Sequence, residues 1–215
     1  MSHPHPGSAL PPLLQLNADA LSDAHLRETL ETRKEIHQGK FLHLRQDTVR
    51  LPDGKLASRE YVVHPGATVV VPLFDDGHIL LERQYRYPVG QVIIEFPAGK
   101  LDAGEAPFTC GRRELLEETG YQAAEWAYAG KLHLAIGYSD EIIHIFFARG
   151  LESGARQLDE GEFLDVVRCP IPEFLDACRT GLITDAKTLA CALWLQNAWA
   201  EKWQLNWQPP SAFNV

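Results

Sequence analysis

The chain has 215 residues, 45% hydrophobic and 23% charged, the composition of an ordinary globular protein with one good-sized core. Its formal net charge of -9 disfavours nonspecific binding to nucleic acid, which clustered Lys and Arg drive. The longest apolar runs, such as ATVVVPLF, are strand-sized and far short of the ~20 residues that span a bilayer, so no membrane partner is expected.

The start, MSHPHPGSALPP, lacks the basic head and apolar stretch of a signal peptide and reads as a disordered lead-in. His3 and His5 have no ligand partner nearby in sequence. Residues 1–37 are expected to be this lead-in plus a short helix over LSDAHLRETLETRKEI (21–36), capped by Ser22. KFLHLRQDTVRL and LASREYVV then read as strands joined by an Asp53-Gly54 turn, which predicts a small N-terminal β subdomain over 38–64.

His64-Pro65-Gly66 breaks the pattern, and the main domain is expected over 65–205. Its first strands are ATVVVPLF, HILLERQYR after an Asp76-Gly77 turn, and Val92 to Phe96. A helix follows from about Pro107 to Thr119, with proline tolerated in the first turn and Gly120 placed to end it. WAYAGKLHL, EIIHIFFAR and FLDVVRC read as strands, with the polar loop ESGARQLDEGE before the last. Two helices close the domain, one from Pro172 to about Arg179 and one capped by Thr184. The latter is apolar on most faces and is expected to be largely buried. Residues 206–215 form a patternless tail. Strands around a few helices make this an α+β chain. Cys110, Cys169, Cys178 and Cys191 show neither CxxC pairing nor metal-ligand spacing, which predicts reduced, buried thiols in a cytoplasmic protein.

The chemistry gathers in GKLDAGEAPFTCGRRELLEETGY, Gly99 to Tyr121. At about 100° per residue, Glu114, Glu117 and Glu118 share one helix face, where like charges repel. A solvated acidic face is one account of them. A bound hard cation such as Mg2+ or Mn2+, which all-oxygen ligands select, is the other. Charge counting alone leaves both open; the stretch also carries a fixed order of residues: Gly99, five residues, Glu105, seven residues, Arg113-Glu114-Leu115, one residue, Glu117-Glu118, one residue, Gly120-Tyr121. Seven fixed letters, each at ~6 to 7% abundance, match by chance on the order of once in 10^8 starts.

This pattern resembles the complete Nudix box. The resemblance implies an α/β/α sandwich around a mixed sheet, with Glu114, Glu117 and Glu118 holding metal and the Ala98 carbonyl adding a ligand. Glu105 is expected to pair with Arg113 and fix the loop to the helix, while Gly99 and Gly120 permit the turns at either end. The implied reaction is hydrolysis of a nucleoside diphosphate linked to another group, with Mg2+ (or Mn2+) as cofactor.

The flanks resemble the ADP-ribose pyrophosphatase group over roughly residues 38–200. ERQYRYPVGQVIIEFPAGKLDAGE places Arg86 where that group contacts substrate. SREYVVHPGATVVVPL places Arg59 and Glu60 where residues reach a nucleotide, often across a homodimer with exchanged N-terminal strands. LDEGEFLDVV matches the catalytic loop, where Glu162 is the expected general base and a further metal ligand, with Glu160 as its rival. Where the group carries Ser-Pro-Gly, this chain has Ala135-Ile136-Gly137, followed by Glu141, which stands where a contact to metal or ribose is expected and equally where a surface acid starts a strand. GDP-mannose or another nucleoside diphosphate compound is the competing substrate. A non-catalytic nucleotide-binding module is the competing class, one that usually lacks some box glutamates.

Overall fold

The computed structural model describes residues 23–213. They fall into two compact units, one comprising residues up to 34 with 46–59, the other 35–45 with 60–215. The expected lead-in, with His3, His5 and Ser22, lies outside the described residues.

Strands β1 (Thr29–Gln38), β2 (His43–Arg50) and β3 (Leu56–Val63) join in that order into a three-stranded sheet. The helix expected over 21–36 is therefore replaced by a strand from Thr29 onward. Its charges explain why: Glu31, Arg33 and Glu35 alternate along β1 and meet Arg50, Asp47 and Arg45 of β2 at 2.6, 2.8 and 2.7 Å. Cross-strand pairs at a spacing of two outweigh a weak helical pattern.

The second unit holds two further sheets. β4 (Ala67–Pro72) is the parallel partner of β9 (Ile142–Ser153), and β7 (Ala98–Lys100) and β8 (Tyr121–His133) flank this pair antiparallel, in the order β7-β4-β9-β8. β5 (His78–Arg86) lies between β6 (Gln91–Glu95) and β10 (Leu164–Pro170), all antiparallel. Helices α1 (Pro107–Thr119), α2 (Ile171–Thr180) and α3 (Ala186–Trp199) complete the unit.

Alternation along the central strands divides the core. Val69, Val71, Ile145 and Phe147 face a cluster with Phe96, Phe174, Cys191 and Leu195, which brings in α2 and α3. Val70, Phe146 and Ala148 face the other way, onto Phe108 and Leu115 of α1 and Trp126 of β8. A sheet buried on both faces between helices is the sandwich expected of the sequence.

Two local expectations need correction. Asp185, not Thr184, caps α3, its carboxylate accepting from Thr188 N at 2.9 Å. That helix buries Lys187, Thr188, Cys191, Ala192 and Leu195 but leaves Leu189, Leu193 and Trp199 exposed, so it is half covered rather than largely buried. Described tail residues pack on the core: Gln208 bridges to Trp126, and Phe213 stacks on Phe108 with ring centres 4.3 Å apart. All four cysteines are free, Cys110 and Cys191 buried and the other two half-buried. No helix among the described residues is long and apolar enough to cross a membrane.

Candidate active site

Helix α1 places the acids. Pro107 sets its first turn and Gly120, in the left-handed conformation at φ 75°, ends it by donating to Leu116 O at 2.8 Å. The helix lies close on β4 because residue 111 is glycine; a Cβ there would stand 2.9 Å from the Thr68 methyl. With Phe108, Gly111 and Leu115 turned to the sheet, Glu114, Glu117 and Glu118 line a cleft of about 510 Å³.

The three glutamates sit in different surroundings. Glu118 is 4% exposed and accepts from the Ala98 N–H at 3.0 Å. Glu114 lies against Gly99, where any Cβ would overlap its carboxylate. Gly99 is thus needed for space beside Glu114 rather than for a turn, since it lies inside β7. Glu117 is the most open of the three. Arg113 makes the expected pair with Glu105, at 3.0 and 2.9 Å, and reaches further to Glu114 at 2.7 Å and Glu117 at 3.0 Å. Glu105 therefore has its pKa lowered, first by the Arg113 hydrogen bond.

Other expected residues converge on the same cleft. Arg86 lines it from the end of β5, Ala98 from β7, and Glu162 from the loop before β10. Glu162 accepts a hydrogen bond from Gln84 Nε2 at 3.2 Å, whereas the rival Glu160 is not among the lining residues and Asp159 is. Glu141 lines the cleft with His64, 3.6 Å away. Ile136 is 82% exposed at a turn and does not line it. Glu60 lies exposed on β3 and is not a lining residue. Arg59 belongs to the other unit, where it pairs with Glu28.

The structure adds four groups that sequence reading missed. Glu82 on β5 is 2% exposed, and its Oε1 has no hydrogen-bond partner among the described residues. Glu95 ends β6 at 1% exposure, and Lys187 and Asp185 at the start of α3 line the cleft. A glutamate inside ILLERQYR gives no periodic signal that it faces inward; only the tertiary fold reveals it.

The electrostatics are those of crowded acid. Burial, then Glu82, Glu114 and Glu162, raise the Glu118 pKa well above the carboxylate range. Burial raises that of Glu114 as well, against the pull of Arg113. Glu82 is pushed up to about 8 by burial, then by Glu95 and Glu162. Among the described residues no three donors are already gathered as a metal cluster; Arg113 holds Glu114 and Glu117 instead. A hard divalent cation nevertheless fits these groups: the donors are all oxygen, their repulsion is unrelieved at Glu118, and a buried oxygen of Glu82 lacks a partner.

Comparison with known proteins agrees with this geometry. Residues 63–190 match the NUDIX domain, and residues 28–62 match the nucleoside diphosphate sugar hydrolase N-terminal domain. The chain is 38% identical over 173 residues to an ADP-ribose pyrophosphatase of Bacillus subtilis, covering 80% of this chain and 94% of the relative. It is 38% identical over 171 residues to a methanol dehydrogenase activator of Bacillus methanolicus, covering 79% and 92%. A crystal structure of an ADP compounds hydrolase superposes with a TM-score of 0.72 at 25% identity, covering 82% of this chain and 96% of that one. With a full box on a cleft-lining helix and a domain match over more than half its length, the chain belongs to the Nudix hydrolase family.

Proposed function

We propose that this chain is a Mg2+-dependent nucleoside diphosphate sugar pyrophosphatase that hydrolyses ADP-ribose to AMP and ribose 5-phosphate, with Mn2+ able to substitute. The observation that carries the reading is the meeting of Arg86, Glu114, Glu117, Glu118 and Glu162 in one cleft, in a chain similar along most of its length to an ADP-ribose pyrophosphatase.

In this reading Glu114, Glu117 and Glu118, with the Ala98 carbonyl and Glu162, would hold the metal. Bound Mg2+ supplies charge neutralisation at the diphosphate oxygens and lowers the pKa of the attacking water. Arg86 grips a phosphate and fixes its orientation. Glu162, on a loop and held by Gln84, accepts the proton of the water as its oxygen bonds to phosphorus and the anhydride P–O bond breaks. Glu117 and Glu118 would belong to the catalytic group as residues that hold the metal. Glu141 contacts the ribose side of the substrate.

The reading extends to a homodimer with exchanged N-terminal strands, in which Arg59 and Glu60 reach the nucleotide in the partner's cleft. Exposure of all ten residues of β1 supports such an exchange. Free cysteines fit a cytoplasmic setting.

The test is a panel of ADP-ribose, GDP-mannose, NADH, FAD and diadenosine polyphosphates with Mg2+, reading phosphate released after phosphatase treatment. ADP-ribose is expected to lead in kcat/KM by roughly tenfold or more. A lead for GDP-mannose would replace the substrate and keep the chemistry. No turnover of any compound, with nucleotide still bound, would make the chain a binding module.

A further inference from the structure

Two cations share one buried carboxylate beside the cleft. Glu95 Oε1 accepts from Arg86 Nε at 2.7 Å, and Glu95 Oε2 accepts from Lys187 Nζ. Lys187 also donates to Asp185 Oδ2 at 3.0 Å, the same oxygen that caps α3. Thr188 Oγ1 accepts from Phe96 N at 3.2 Å, so the start of α3 is fastened to the end of β6. Neither Lys187, Glu95 nor Asp185 belongs to the box.

The pairing has a consequence for Arg86. Its Nε is committed to Glu95, while its Nη atoms have no hydrogen-bond partner among the described residues and the side chain lines the cleft. An arginine fixed at Nε presents its two Nη groups as a rigid fork, the geometry that binds phosphate bidentately. Lys187 takes up the second oxygen of Glu95 and, itself held by Asp185, pins that carboxylate so that Oε1 stays on Arg86 Nε and the fork stays aimed into the cleft.

We propose that Lys187 is a positioning residue that acts through Glu95, keeping the Arg86 fork oriented for the substrate diphosphate. The inference rests on the assignment of Arg86 as the phosphate grip.

The experiment compares steady-state kinetics with ADP-ribose and Mg2+ for wild type, Arg86→Ala, Lys187→Met and the double variant Glu95→Gln/Lys187→Met, alongside circular dichroism and thermal melts. Arg86→Ala and Lys187→Met are each expected to raise KM roughly tenfold, with kcat held within about threefold. The double variant is expected to return KM to within about threefold of wild type, because the amide oxygen introduced at position 95 still accepts from Arg86 Nε and position 95 no longer buries a charge that only Lys187 had satisfied. A Lys187 that only braces the fold would lower the melting temperature and leave KM alone, which overturns the proposal. A Lys187 that itself touches phosphate would leave the double variant as poor as the single, which also overturns it. Should Lys187→Met fail to fold, Lys187→Gln takes its place: a KM raised roughly tenfold is expected, and a KM within about threefold of wild type overturns the proposal. An unchanged KM in Arg86→Ala would remove the phosphate-grip assignment itself, a failure distinct from the other two.

Discussion

The Glu114 carboxylate occupies the space that a side chain on Gly99 would need. Gly99 lies in a strand with no left-handed φ, so alanine meets no backbone penalty there. What it displaces is the far end of a flexible side chain. Gly99→Ala is therefore expected to cost less than about 1 kcal/mol of stability. It should nonetheless lower metal affinity and turnover by roughly 10–100-fold, because Glu114 is moved off its position. Mn2+ titration followed by electron paramagnetic resonance, beside a thermal melt, checks both halves; wild-type affinity would show that Glu114 is not a ligand.

Glu118 is the most buried of the box acids and the one with the most repulsive surroundings. Glu118→Gln keeps the shape and the acceptor for the Ala98 N–H while removing a charge. Turnover is expected to fall by at least ~100-fold, with the melting temperature in chelator equal to or above that of wild type. Activity near wild type would sink the assignment of this residue to the metal.

The exposed β1 strand makes an oligomer prediction. Leu30 and Ile36 stand 53% and 41% exposed on an uncovered strand, an arrangement that usually finds a partner. Light scattering is expected to give about twice the 24.1 kDa chain mass at working concentration. A monomer would remove the exchanged-strand arrangement and, with it, the reach of Arg59 and Glu60 into a partner's cleft.

The parts of this molecule that sequence revealed are those written in local spacing. The limits of α1, the Asp53-Gly54 and Asp76-Gly77 turns and the convergence of Glu114, Glu117 and Glu118 all follow from residues within one or two turns of each other. β1 escaped because its strand character lies in charges matched on β2, which no single-strand pattern displays. Glu82, Glu95 and Lys187 escaped for a related reason. Each looks like an ordinary charged residue in its own segment, and becomes part of the site only when β5, β6 and α3 are brought together.

Glu82 carries the pH prediction. Its carboxyl is raised from 4.5 to about 8 by burial, then by Glu95 and Glu162. Between those two values the unfolded chain has released this proton and the folded chain retains it, so folding stability falls as pH rises through the window. Below about pH 4.5 both states are protonated and the loss vanishes; above about pH 8 it is complete. Glu82→Gln cannot ionise, so this loss is absent. In chelator, the variant and wild type are expected to melt together near pH 5 and to separate progressively, with the variant ~5 °C or more higher at pH 8. Added Mg2+ should narrow the gap, because a cation near Glu118 favours the charged form of Glu82. Parallel curves across the whole range would show that Glu82 ionises in the folded protein as freely as in water.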